Sequence, residues 1–300
     1  MNLSGTVVPM ATPTRGPQRA IDDEALREFT GRLIDAGVHG LFPGSSIGEF
    51  PSLTTPQHRE ILETVADVAD GRTKILAGCC ETNVSAVLEK VAIAEAAGAH
   101  AAVVVAPYYL KTTQGGLERF FTAVADQSSL PVMLYNIPQL TGNEIGIELV
   151  QRLADHDGIV GLKDTSGDLT YHYRVVEETP EEFFVFQGAT ELATASLDLG
   201  TDGLIAGPAN VFPSAMADLY EAYERGDVAE ARRLMRVVVA PFVSATSDLP
   251  TAAAMKHLVE LRGLDIGGPL PPLPELTDEE RASLSAAYRQ ITERFSERAV

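Results

Sequence analysis

Cysteine, lysine and long apolar runs are all scarce in this 300-residue sequence. The two cysteines, Cys79 and Cys80, are adjacent. They are too few for a disulfide framework, poorly placed to bridge each other, and without zinc-ligand spacing. A reducing, cytoplasmic setting is the expectation. No stretch approaches the roughly 18 apolar residues of a membrane span. Residues 1–16, "MNLSGTVVPMATPTRG", show neither the basic n-region nor the apolar h-region of a secretory leader. No His/Asp/Glu cluster has metal-ligand spacing, so no metal site is expected. Positive charge is also short, with 23 Lys and Arg against 42 Asp and Glu for a formal net charge of −19. Such a surface repels phosphate backbones and anionic lipid, which excludes nucleic acid and membrane surfaces as expected partners. A site for an anionic substrate must therefore supply its own local field. Lysines number only 5 beside 18 arginines, so the place of each is informative.

What is abundant is a repeat of strand and helix. Short apolar runs occur at 6–11, 40–44, 74–78, 101–107, 131–136, 159–163, 183–188 and 203–207. Amphipathic segments separate them: Val84, Val87, Leu88 and Val91 share a helical face ahead of Gly98, and Ile61, Val65 and Val68 do so between Pro56 and Gly71. Continuous apolar strands alternating with helices imply a parallel sheet covered by helices. Eight such units predict a (β/α)8 TIM barrel over 1–225. A doubly wound open sheet is the competing architecture, but "VVPMATPTRGPQ" lacks the G-x-G-x-x-G loop expected after its first strand. Residues 226–300 predict a C-terminal helical appendage packed on the barrel, with a capping box from Thr277 to Glu280.

In such barrels, active sites lie at the C-terminal ends of the strands. The runs here end in "GSSIGEF", "APYYLK", "LYNIPQLTG", "LKDTSGD", "QGATE" and "AGPAN". Gathered on one rim, these bring tyrosines, hydroxyls and glycines around one lysine, Lys163. A strand-end lysine reaching solvent is the plain reading of Lys163; an amine kept there for chemistry is the other. Burial favours the neutral form of an amine, and a neutral amine can form a Schiff base with a ketone. Tyr135, ending the neighbouring run, is placed to shuttle protons. Neither Ser45 nor Ser46 has a histidine partner, which disfavours a Ser-His-acid hydrolase.

The ordered motifs "GSSIGEF", "APYY", "LYNIPQLTG" and "GLKDTSGD" resemble those of the dihydrodipicolinate synthase/N-acetylneuraminate lyase family over nearly the whole chain. The resemblance implies a homotetrameric barrel enzyme that forms a covalent lysine imine with a 2-keto acid and uses no cofactor. It implies Lys163 as the imine-forming amine, Tyr135 as the proton shuttle, Ser46 as a relay hydroxyl, and Tyr109 as a phenol contributed across a subunit interface. Ser45, Ile47 and Gly48 are expected at the substrate carboxylate. Thr165, Gly188 and Ile205, at the ends of the sixth to eighth runs, complete the expected binding set with Thr190 and Glu191.

Three departures bear on the substrate. An ungapped match puts Ile47 where the family has a hydroxyl or amide; a one-residue insertion would instead make Ser45 and Ser46 the hydroxyl pair. Leu140 stands where the synthases carry an arginine that clamps a second carboxylate. Thr190 and Glu191 replace the two acids of sialate lyases, leaving one acid and one hydroxyl for a polyol tail. The expected activity is therefore cleavage of a 2-keto-3-deoxy sugar acid, such as 2-keto-3-deoxygluconate, to pyruvate and an aldehyde. The alternatives are 4-hydroxy-tetrahydrodipicolinate synthase or a keto-deoxy-glucarate dehydratase using the same imine, and more remotely a non-catalytic keto-acid-binding protein. Structural roles compete at several positions: interface packing for Tyr109, turn hydroxyls for Ser45 and Ser46, and a helix N-terminal acid for Glu191. Lys256 and Glu49 are expected to be structural, Glu49 through hydrogen bonds to turn amides.

Overall fold

Each of the eight apolar runs forms one strand: β1 (Gly5–Pro9), β2 (Gly40–Phe42), β3 (Lys74–Gly78), β4 (Ala101–Val105), β5 (Val132–Asn136), β6 (Ile159–Asp164), β7 (Phe184–Gln187) and β8 (Gly203–Ile205). The computed structural model describes residues 3–16 and 19–296. Every strand pairs in parallel with its sequence neighbour, and β1 pairs with β8 through Gly5–Gly203 and Val7–Ile205, closing the barrel. Alternation splits the apolar side chains into two layers. Val7, Phe42, Leu76, Val103, Met133 and Phe186 fill the barrel, while Val8, Leu41, Val104, Leu134 and Leu162 face the helices. Lys163 follows Leu162, so its side chain turns inward.

The surrounding helices are α1 (Asp23–Asp35), α2 (Thr55–Ala69), α3 (Val84–Ala96), α4 (Gln114–Ala125), α5 (Ile147–Ala154), α6 (Leu169–Glu178), α7 (Ala193–Leu197) and α8 (Pro213–Glu224). Several begin on a side-chain cap directly after a strand-end loop. Asp22, Asn83, Thr113 and Asp168 each accept a first-turn N–H, and Thr54 forms a full capping box with Gln57. These caps satisfy N–H groups that the helix cannot, and so fix where each loop ends. Cys79 and Cys80 are free and buried; burial pushes both thiols up, Cys80 to about 11.

Between residues 228 and 296 lie α9 (Val228–Leu234), a π-helical turn (Met235–Val239), α10 (Ala240–Thr246), α11 (Thr251–Leu261) and, after a non-helical stretch, α12 (Asp278–Ser296). The Thr277–Glu280 capping box opens α12, with Thr277 N donating to Glu280 Oε2 at 2.7 Å. Leu234, Val238, Val239, Phe242 and Leu258 share one buried cluster with the helix-facing strand residues, so these helices are bonded to the barrel by a continuous core. No helix among the described residues is long and apolar enough to cross a membrane.

Candidate active site

Strands β5 and β6 pair in register, Tyr135 beside Lys163 and Asn136 beside Asp164. The first pair points into the barrel mouth and the second pair outward. Lys163 Nζ lies 3.9 Å from the centroid of the Tyr135 ring and 5.1 Å from that of Phe42. Three lysines are buried, Lys90, Lys163 and Lys256. Lys90 sits 2.6 Å from Glu81 and Lys256 2.7 Å from Glu49. Among the described residues no carboxylate pairs with Lys163. A buried ammonium is normally paired, so this amine stands apart from the other two, and only aromatic faces attend it.

The outer pair is fixed by a buried polar network. Asp164 Oδ1 accepts from Asn136 Nδ2 at 3.3 Å and from Ser166 N at 3.0 Å. Asp164 Oδ2 lies 3.2 Å from His172 Nδ1, and His172 Nε2 lies 2.6 Å from Thr201 Oγ1. These bonds hold the ends of β5 and β6 together on the face opposite the amine.

On the inner face, Ser46 Oγ is 3.3 Å from Tyr135 Oη, while the amine of Lys163 lies over the face of the same tyrosine ring. Ser45 does not join them. Its side chain is fully buried, donating to Met10 O at 3.4 Å and accepting from Gly48 N at 3.0 Å. This is the turn-building role, and of the two serines it is Ser46 that meets Tyr135. Gly48 N is thereby used up, whereas the N–H groups of Ser46 and Ile47 donate to no protein acceptor among the described residues. The N–H groups of this turn left without a protein acceptor among the described residues are thus those of Ser46 and Ile47.

Lys163, Tyr135, Ser46, Ile47, Thr165, Gly188, Thr190, Glu191 and Ile205 line one cavity of about 640 Å³. Thr165 Oγ1 is buried there without a hydrogen-bond partner among the described residues. An orphan hydroxyl beside an amine marks a place for a ligand group. Gly188 is required by space: a Cβ would fall 2.1 Å from Thr165 Oγ1 and 3.0 Å from Lys163 Cε. Tyr109 is not part of this cavity. It is 92% exposed at φ 75° and borders a separate hollow with Thr82, Lys111 and Thr112. The strand-end reading missed one whole wall, which Phe242, Val243, Thr246, Ser247, Thr251 and Met255 supply from the C-terminal helices. Their only sequence signal was small and hydroxylated residues on otherwise apolar helices. Among the described residues, Lys163 and Glu191 are the only charged side chains lining the cavity, while Leu140 is 66% exposed at its edge.

A buried amine and a phenol in the mouth of a closed parallel barrel define the class of (β/α)8 enzymes. Residues 2–291 match the Dihydrodipicolinate synthetase family. The chain belongs to that family, and is a carbon–carbon lyase of it. Among curated relatives, a 4-hydroxy-tetrahydrodipicolinate synthase of Methanopyrus kandleri is 35% identical over 96% of both chains. One of Methanoculleus marisnigri is 36% identical over 94% of this chain and 97% of its own. Among solved structures, the 4-hydroxy-tetrahydrodipicolinate synthase of Methylacidiphilum fumariolicum SolV superposes with a TM-score of 0.94 at 28% identity, covering 99% of this chain and 98% of that one. YagE, a prophage protein of E. coli K12 belonging to the dihydrodipicolinic acid synthase family and solved in complex with pyruvate, gives a TM-score of 0.90 at 31% identity, covering 96% and 98%.

Proposed function

We propose that the protein is a cofactor-independent, pyruvate-type Schiff-base aldolase whose second component is an uncharged hydroxyaldehyde, the two joined in a 2-keto-3-deoxy sugar acid. The neutral amine of Lys163 attacks the keto carbon, and the carbinolamine loses water to give the imine. Tyr135 passes the protons of these steps, with Ser46 hydrogen-bonded behind it. The keto-acid carboxylate lies on the Ser46 and Ile47 amides, whose dipoles act strongly in a cavity screened from water. In cleavage, the C4 hydroxyl gives its proton to the Tyr135 phenolate and the C3–C4 bond breaks. The electron pair moves into the imine to leave an enamine and an aldehyde. Protonation at C3 and hydrolysis then release pyruvate and restore the amine. The pyruvate bound by YagE supports the keto-acid half of this reading.

The observation that carries the second half is the charge of the cavity. Apart from Lys163 no cationic side chain among the described residues lines it, and Leu140 stands at the edge where a guanidinium would clamp a second carboxylate. An unpaired anion in a desolvated site costs several kcal/mol, whereas Thr190, Glu191 and Ser247 offer partners for hydroxyls. The second reading is 4-hydroxy-tetrahydrodipicolinate synthase, and the names of the curated relatives favour it over the sugar-acid lyase. Steady-state kcat/KM across a panel of keto-deoxy sugar acids, set against pyruvate plus aspartate semialdehyde, separates the two. Sugar-acid cleavage is expected to be the faster, and Leu140→Arg is expected to lower it about tenfold while raising semialdehyde condensation. A wild type that prefers the semialdehyde makes the protein a synthase.

The exposure of Tyr109 (92%) and its neighbour Leu110 (73%) supports assembly through that face into a homotetramer, with Tyr109 reaching a partner's site. Multi-angle light scattering is expected to give about four chain masses. A monomer with full turnover would contradict it.

A further inference from the structure

We propose that the buried Lys256–Glu49 pair is a positioning device for the keto-acid half of the site, fixing the turn whose Ser46 and Ile47 amides receive the carboxylate. This rests on the imine reading above and adds a residue of α11 to its machinery. Glu49 directly follows that turn and holds a left-handed backbone, φ 61°. A non-glycine residue keeps such a conformation when its surroundings over-determine it. Here they do. Glu49 Oε2 accepts the backbone N–H of Leu270, and Oε1 lies 2.7 Å from Lys256 Nζ. That contact is a buried ion pair, and the ammonium also donates to Gly268 O at 2.7 Å and Thr14 Oγ1 at 3.3 Å.

One lysine thus ties two chain segments to the turn that Glu49 closes: the loop after β1 through Thr14 and the 264–270 strap through Gly268. The turn is gripped from its other side as well. Thr12 Oγ1 donates to Gly48 O at 2.7 Å, and a Cβ on Gly48 would meet Met10 O at 2.7 Å. Met255, next to Lys256 on α11, and Ile47 border the same space over Gly207, where a Cβ would lie 3.8 Å from Met255 Cε and 3.1 Å from Ile47 Cδ1. An apolar pair could fill the same volume, but it would not specify where the turn sits. Buried charges specify register because every displacement unpairs them.

The test uses the full-length protein and borohydride trapping of [14C]pyruvate. In Lys256→Met the pyruvate concentration that half-saturates labelling of Lys163 is expected to rise about tenfold or more, while kcat and the labelling rate at saturation stay within about threefold. The KM of the aldehyde in condensation is expected to hold within about twofold. Glu49→Gln keeps an acceptor for Leu270 and should shift pyruvate affinity less, in the same direction; Lys256→Arg should restore most of it. If Lys256→Met fails to fold by circular dichroism, Glu49→Gln and Lys256→Arg decide the comparison. An unchanged pyruvate half-saturation in the folded variants, or a loss in kcat without one in pyruvate affinity, overturns the proposal. A wild type that traps no pyruvate on Lys163 removes the imine reading and this inference together. A wild type that traps normally beside unshifted variants removes this inference alone.

Discussion

Lys163→Arg is expected to lower turnover of any 2-keto acid substrate by a factor on the order of 10⁴ or more, about 5.5 kcal/mol or more in barrier height. The substitution separates two roles of the side chain. Arginine keeps a positive charge over the Phe42 and Tyr135 rings, where Lys163 Nζ now sits 5.1 and 3.9 Å from their centroids. It therefore preserves cation–π contact and any attraction for a carboxylate. It cannot give up its proton at ordinary pH, and so it offers no nucleophile. Had the lysine served only as a cation, the variant would keep much of its activity. Mass spectrometry after borohydride reduction with pyruvate should find the three-carbon adduct on the Lys163 peptide of the wild type and on no peptide of the variant. An adduct on Lys256 would move the chemistry to the wrong lysine and end the mechanism.

The next largest effect belongs to Tyr135→Phe. The ring remains, and with it the face against the amine and the edge contact with Phe42, 6.4 Å between centroids. Only the hydroxyl that meets Ser46 Oγ at 3.3 Å is lost. General acid–base assistance is worth about 10²–10⁴-fold, so kcat is expected to fall by about 10²–10³ with pyruvate KM changed less than about threefold. Imine trapping should slow but still go to completion, because water can carry the protons less efficiently. Stopped-flow and borohydride-quench kinetics check this. A kcat within a few-fold of the wild type would assign the shuttle to another group.

These two side chains were legible in the sequence for a simple reason. In a parallel barrel both faces of a strand are buried, so strands appear as unbroken apolar runs, and a polar residue closing such a run is conspicuous. "PVMLYN" and "IVGLK" each show it, and their pairing in register follows from the topology. The fold was legible for the same reason, since all eight runs became the eight strands. Contacts made across the chain were not. The partnership of Glu49 with Lys256 spans about two-thirds of the sequence, and nothing local announces it. Ser45 and Ser46 are adjacent and chemically identical, yet one is spent inside the turn and the other faces Tyr135. Only the path of the backbone through the Gly44–Gly48 turn decides which is which. The C-terminal wall was hidden because a helix lining a cavity with Thr246, Ser247 and Thr251 has the same pattern as one showing those residues to solvent.

That wall has a consequence for the order in which the protein becomes competent. The eighth strand closes on the first at Ile205, and the last covering helix of the barrel ends at Glu224. The residues synthesised by that point supply every strand of the barrel, Lys163 and Tyr135 included. They lack Phe242, Thr251 and Met255, and Lys256, the ion-pair partner of Glu49, comes later still. Closure of the sheet and completion of the site are therefore separate events in synthesis, some fifty residues apart by the positions just given. A chain ending at Glu224 is therefore expected to carry Lys163 and Tyr135 with one wall of the cavity missing and Glu49 without its cationic partner.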